Sequence, residues 1–223
     1  KEAKLVRSIR ELRKAKGTYY EMGIDDDGRL RCSFNPVGTK STRLSSSKTI
    51  FDTGGNLQNQ PKEMLNFMLA DPGYIMCKFD LGQAENRVVA YVSNCQRMIE
   101  AFETGKDVHC LTAGLIFGIP PDAVSDEEGS CPIGGGAYSQ RFWGKKANHG
   151  LNYDLGYKTF ALYYEIPENE AKYIVERYHS AYPEVRQWHT VLRGQLSKNR
   201  TLTDCFGSTR LFTDRWGDEL FKE

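Results

Sequence analysis

The 223-residue sequence contains no CxxC pair; its six cysteines, Cys32, Cys77, Cys95, Cys110, Cys131 and Cys205, are scattered along the chain. That spacing argues against a zinc ribbon or a disulfide scaffold and fits a reducing compartment. Also lacking is an apolar run long enough to cross a bilayer. No signal-peptide pattern is visible either, so no membrane partner is expected. Charge imbalance is nearly absent: 30 Lys and Arg against 29 Asp and Glu leave a formal net charge of +1. Contact with nucleic acid would have to come from local basic clusters, not from an overall positive field. There is no internal repeat. What is present, 39% hydrophobic and 26% charged residues, describes a globular chain able to bury a substantial core, and leaves its chemistry open.

Periodicity places the elements. Leu5, Ile9 and Leu12 share one helical face in the opening stretch, with Lys4, Arg7 and Lys14 around them, and Gly17 is a plausible stop. Gly28–Phe34 reads as a strand behind an acidic turn at Asp25–Asp27. Val37–Pro61, rich in Ser, Thr, Gly, Asn and Gln, is expected to be mostly loop, and loops of that length in compact domains tend to be functional. Lys62–Leu69 is expected to be helical. Tyr74–Asp80 reads as a buried strand ending in an acid, followed by a helix from about Gln83 with Val88, Val89 and Val92 as its apolar stripe. Asp126–Ala137 reads as a glycine-rich, flexible insertion, and a helix is expected from Tyr138 to Asn152. In Glu168–Tyr182, Ala171, Ile174, Val175, Tyr178 and Tyr182 fall at helical spacing. Pro183 suits the first turn of a further helix carrying Val185, Trp188, Leu192 and Leu196. Gly207-Ser208 between Thr201–Phe206 and Thr209–Thr213 signals a hairpin. Helices mixed with a few strands predict an α+β fold.

Two stretches carry chemistry. Asp80 closes an apolar segment, where a carboxylate could hold a hard divalent cation near a phosphate, although a turn or cap role explains a lone Asp as well. Glu85, five residues on, reads equally as a solvent-facing helical charge. In RFWGKKANHGLNYDLGY, Arg141, Lys145, His149 and Tyr153 recur every four residues, a slowly drifting helical stripe that rises about 18 Å. Two cations followed by two rings match a nucleoside triphosphate laid along the helix. Gly150 within that helix costs about 1 kcal/mol relative to Ala, which a close approach by a base or backbone would explain. An ordinary basic helix is the competing reading.

Over nearly its whole length the sequence resembles the family A DNA polymerases. ELRKAKGTY resembles the end of the thumb helix, and TRLSSS with NLQNQP a DNA-contacting loop. DLGQAENRVVAYVS resembles motif A, GKDVHCLTAGLIFG the helix that follows, and RFWGKKANHGLNYDLGY motif B. RYHSAYPEVRQW and TDCFGSTRLF resemble the elements beyond. The resemblance implies a right-hand polymerase fold, part of the palm sheet plus helical fingers. It assigns 1–16 to the thumb helix, 17–106 to the palm with motif A, 107–182 to the fingers with motif B, and 183–223 to the return to the palm. It further implies template-directed deoxynucleotidyl transfer with two Mg²⁺ ions bound by Asp80 and the Leu81 carbonyl, and with Lys145 as a proton donor to the leaving pyrophosphate. His109, Arg141, Lys145, His149 and Tyr153 are implied to contact the dNTP. Glu85 becomes the steric gate against ribose, hydrogen-bonded to Tyr153. Arg43, Gln58 and Asn59 become contacts to primer–template DNA. For His109 a satisfied helical histidine, and for Gln58 and Asn59 simple turn chemistry, remain the plain alternatives.

Departures qualify the resemblance. Leu81-Gly82 stands where the family usually has an aromatic and a serine, Ala84 and Asn86 replace larger apolar residues, His149 replaces a phenylalanine or tyrosine, and Asp154 replaces a glycine. The family's third motif, an Asp after a His, has no match, because the four histidines precede Cys110, Gly150, Ser180 and Thr190; Asp218-Glu219 resembles it only superficially. The expectation is therefore a catalytic domain truncated before that motif, completed by a C-terminal palm segment or a second polypeptide. A phage-type or bacterial origin with cytoplasmic location, or an organelle, would fit. Two rivals stand beside this reading. One is a single-subunit RNA polymerase relative, against which Glu85 argues. The other is a non-catalytic nucleic-acid-binding fragment or subunit.

Overall fold

The computed structural model describes residues 2–39, 41 and 43–213, and its contacts divide the chain into two compact units between Phe79 and Asp80. That division lies inside the span expected to be palm.

In the first unit, α1 (Glu2–Ala15) forms where the periodicity predicts, with Leu5, Ile9 and Leu12 exposed on it. A wider turn over Lys16–Tyr20 follows it. The strand expected over Gly28–Phe34 contracts to β1 (Ser33–Asn35), which pairs antiparallel with β2 (Ser45–Ser47), Ser33 opposite Ser47. The arginines upstream are drawn into ion pairs instead: Arg29 with Asp71 at 2.6 Å, and Arg31 with Asp27 at 2.5 Å and also with Asp25. The long loop is pinned internally. Ser46 donates to the Asn56 side chain at 2.7 Å, and Gly23 bridges Gly54. At Gly54, φ is +72°, and a Cβ would fall 1.7 Å from the Arg31 carbonyl oxygen, so only glycine fits there. The expected helix at Lys62–Leu69 is the single turn α2 (Lys62–Leu65).

Tyr74–Asp80 is not a buried strand. Its residues are irregular and exposed, Ile75 by 85% and Phe79 by 91%. A strand exists only through pairing, and no described segment supplies a ladder for this one.

The second unit is helical: α3 (Ala84–Val92), α4 (Gln96–Glu103), α5 (Val108–Phe117), α6 (Gln140–Leu151), α7 (Tyr157–Tyr164), α8 (Glu168–Ala181) and α9 (Pro183–Asn199). Its core gathers Met98, Ile116, Trp143, Phe160, Ile174 and Tyr178, all fully buried. The stripe expected on α3 is shifted, since Val88 and Val92 are exposed and the helix buries Asn86, Val89 and Ala90. The glycine-rich stretch 126–137 is not a loose insertion. Cys131 and Ile133 are buried in the core, and the Gly134 N–H donates to Glu170 on α8 at 2.9 Å. Of the predicted stripes, Ala171, Ile174, Tyr178, Tyr182, Val185 and Leu196 are buried and Val175, Trp188 and Leu192 are half-buried, with His189 added to the buried face of α9. The chain then turns through the expected hairpin of β3 (Thr201–Thr203) and β4 (Thr209–Leu211), Leu202 opposite Arg210. Asp218-Glu219 lies outside the described residues. Among those described, helices predominate, strands are confined to two short antiparallel ribbons, and no helix is long and apolar enough to cross a membrane.

Candidate functional site

Helix α6 is built to hold one face down and offer another. Ser139 caps it, its hydroxyl accepting from the Phe142 N–H at 3.0 Å. Trp143, Gly144, Ala147, Asn148 and Leu151 are buried. Gly144 lets α5 cross very closely, for a Cβ there would lie 2.2 Å from the His109 carbonyl oxygen and 2.9 Å from the Ala113 side chain. The opposite face carries Lys145 and His149, both exposed, and no carboxylate among the described residues pairs with Lys145. Tyr153 lies past the end of α6, its N–H bonded to the Gly150 carbonyl at 3.2 Å, its ring 63% exposed and 6.2 Å from that of His149. The predicted stripe is thus present but leaves the helix before its last member. Gly150 has a different explanation from the one expected. It is buried, and an added Cβ would meet Leu155 at 3.2 Å and Phe160 at 3.5 Å, so it accommodates the chain's own core and not a ligand.

Arg141 does not stand free. Its guanidinium binds the Asp107 carboxylate at 2.9 and 2.8 Å and approaches Asp126 at 3.6 Å. The other oxygen of Asp107 accepts from the main-chain N–H groups of His109, at 2.8 Å, and Cys110, at 3.3 Å, capping α5. Burial alone would raise the Asp107 carboxyl, but the bonds from Arg141 and these two amides hold it below its ordinary value.

The same helix crossing orients His109. The Thr112 hydroxyl donates to Asn148 Oδ1 at 2.9 Å, which turns Asn148 Nδ2 toward His109 Nδ1 at 3.0 Å. An amide donor at Nδ1 requires the neutral tautomer with its proton on Nε2. Burial, aided by Arg141 and Lys145 and opposed by Asp107, depresses the pKa and keeps the ring neutral. His109 therefore keeps one N–H to offer an anionic oxygen. Tyr182 completes the chain, its hydroxyl 2.8 Å from that of Thr112. Sequence reasoning missed Asp107, Thr112 and Asn148. Their signal was an acid just before a helix and polar residues on faces that bury.

Asp80 and Leu81 are exposed, and Glu85 lies exposed in the first turn of α3. A carboxylate and a carbonyl are donors that a hard cation takes. They do not complete a site, because among the described residues no group of three or more His, Cys, Asp or Glu side chains is placed to hold a metal ion. In the other unit, Arg43, Gln58 and Asn59 are exposed, the latter two in a short 3-10 turn that the Asn56 side chain caps by accepting from the Gln58 N–H at 3.0 Å.

Just beyond α6 the backbone turns left-handed at a single residue. Asp154 has φ of +57°, in the left-handed region where glycine is at ease. Its carboxylate is held by two arginines of α9, Arg186 at 2.6 Å and Arg193 at 2.5 Å. The cross-link retains a non-glycine residue where the backbone disfavours one.

The family model for DNA polymerase family A matches residues 1–218. A thermostable DNA polymerase I from Thermus caldophilus is 32% identical over 215 residues, covering 92% of this chain and 24% of that protein. The thermostable DNA polymerase I of Thermus aquaticus is 33% identical over 189 residues, 80% of this chain and 21% of that one. The chain thus spans about a quarter or less of these relatives' length. Among solved structures, the POL domain of Pol1 from M. smegmatis, in complex with DNA primer-template and dNTP, aligns with a TM-score of 0.71 at 27% identity, covering 90% of this chain and 34% of that one.

Proposed function

The chain belongs to DNA polymerase family A, and from that premise we propose that it is the nucleotide-selecting part of an enzyme that transfers deoxynucleotides from dNTP to a primer 3′-hydroxyl under the direction of a DNA template. The observation that carries this reading is the α5–α6 crossing. It sets an exposed ammonium, Lys145, a partly buried guanidinium, Arg141, and a neutral His109 with a spare N–H beside one another. Donors and cations fixed in advance on rigid helices are what a triphosphate needs as charge develops on its leaving group.

In this reading Lys145 bonds the triphosphate and is positioned to give a proton to the departing pyrophosphate. His109 Nε2–H donates to a phosphate oxygen, and Arg141 contributes charge while remaining tied to Asp107. His149 and Tyr153 flank sugar and base, and Glu85 closes the space that a ribose 2′-hydroxyl would need. Asp80 and the Leu81 carbonyl are this chain's contribution to a Mg²⁺ site, where bound ions would neutralise the triphosphate and the attacking oxygen. Arg43, Gln58 and Asn59 are proposed to contact primer–template DNA.

Primer extension with dNTPs or NTPs, by the complete protein carrying this chain, tests the reading. Lys145→Ala is expected to lower kcat/KM for dNTP by about a hundredfold or more, as loss of a charged donor in such a site does. Arg141→Ala is expected to cost less, because part of its charge is already engaged by Asp107. An unchanged kcat/KM for Lys145→Ala would remove α6 from the nucleotide site, and extension with NTPs only would favour RNA synthesis.

A further inference from the structure

Asn86 and Asn152 are 66 positions apart, yet their side chains meet inside the second unit, Asn152 Nδ2 donating to Asn86 Oδ1 at 2.8 Å. Both are buried, 6% exposed each. The Asn152 amide is held from a second side as well, since the fully buried Tyr178 donates its hydroxyl to Asn152 Oδ1 at 2.7 Å. Its main-chain carbonyl is taken as well, lying 3.0 Å from Nε2 of the buried His189. Three helices, α3, α8 and α9, thus converge on one residue just past the end of α6.

The pair has a cost that an apolar pair would not. Asn86 Nδ2 is buried without a partner, and an unmatched buried donor is expensive. Two leucine-like side chains would pack there without it. A polar contact with defined geometry fixes one relative placement of its two elements, whereas apolar packing tolerates sliding. What sits beside the pair on each element gives that placement a use. Glu85 precedes Asn86 and is exposed on α3, and Tyr153 follows Asn152 and is exposed beyond α6. The next anchor along the chain, Asp154 on its two arginines, holds the other flank of Tyr153.

We infer that Asn86 and Asn152 are a positioning pair that sets the Glu85 carboxylate against the Tyr153 ring, and so tune the rejection of ribonucleotides at the incoming sugar. This rests on the assignment of Glu85 and Tyr153 under the proposed function. Neither asparagine touches the nucleotide; both act through their neighbours.

The test uses the complete polymerase and reads the ratio of ribonucleotide to deoxyribonucleotide incorporation. Asn86→Leu is expected to raise the ratio roughly three- to tenfold, the factor that corresponds to one hydrogen bond's net contribution. Tyr178→Phe, which keeps the ring and removes the second hold on Asn152, is expected to move the ratio the same way by less. Its near-isosteric change keeps the test valid should Asn86→Leu fold poorly. Thermal unfolding of Asn86→Leu, Asn152→Leu and the double variant is expected to be non-additive. A merely structural pair would slow both nucleotides alike and leave the ratio fixed, which overturns the inference. Glu85→Ala separates the two levels. If it moves the ratio while Asn86→Leu and Tyr178→Phe do not, the positioning pair alone fails; if it leaves the ratio unchanged, the gate itself fails and the pair with it.

Discussion

One carboxylate, that of Asp107, ties the start of α5 to Arg141 on α6: Oδ2 receives the guanidinium at 2.9 and 2.8 Å while Oδ1 caps α5 through the His109 N–H at 2.8 Å. The two tasks separate by substitution. Asp107→Asn keeps an oxygen for the cap and loses only a partly exposed ion pair, an expected destabilisation of about 0.5 kcal/mol. Asp107→Ala loses both and is expected to cost about 1 kcal/mol more. Chemical denaturation of the two variants checks the difference; equal losses would mean that the cap contributes nothing.

His149 is exposed on α6 with its ring edge-on to Tyr153 at 6.2 Å. A histidine ring can offer an N–H to the region of the sugar 3′ position, and a phenylalanine cannot. His149→Phe is expected to increase discrimination against dideoxynucleotides, with a smaller effect on ordinary ones. The measurement is the ddNTP-to-dNTP incorporation ratio of the two proteins under the same conditions. Equal ratios would reduce His149 to a space-filling ring.

Two glycines of α6 are expected to differ in their response to alanine. At Gly144 the new Cβ would meet the His109 backbone at 2.2 Å, and backbone cannot step aside. Gly144→Ala should destabilise by about 1–3 kcal/mol. At Gly150 the nearest atom is the end of Leu155 at 3.2 Å, which can shift. The gain of about 1 kcal/mol in helix propensity then offsets the crowding, so Gly150→Ala is expected to be nearly neutral. Thermal melts of the two variants decide it, and a large loss at Gly150 would show that Leu155 has nowhere to go.

Acid is expected to destabilise the fold through histidines. Burial depresses the pKa of His109, His179 and His189, that of His179 from 6.5 to about 4. Below 6.5 the unfolded chain takes up protons that these buried rings refuse, so it binds more protons than the folded state and stability falls. The loss begins as pH drops through 6.5 and, for His179, continues to about 4. Denaturant titrations at pH 7.5, 6 and 5 should show a monotonic decline, with a shallower slope in His179→Gln. Constant stability across that span would mean that these rings titrate as they do in water.

Local chemistry decided much of this protein. The 3.6-residue period located α6, α8 and α9; Pro183 marked the start of α9, and Gly207 the hairpin. These follow from residues one to four positions apart, whose interactions any reader of the sequence can enumerate. The ordered motifs pointed to the family in the same way, and with it to Asp80, Glu85, Arg141 and Lys145 as the residues to examine. Partners far along the chain were decided by the tertiary structure alone. Arg141 reaches Asp107 across 34 positions and Asn152 reaches Asn86 across 66, and no local pattern distinguishes these pairings from others. Tyr74–Asp80 has the composition of a buried strand but no described strand to pair with, and Gly150 proved to serve Leu155 and Phe160. Periodicity says which face of an element is buried. What that face is buried against, and which polar groups it meets there, depends on long-range closure of the chain, which only the folded molecule contains.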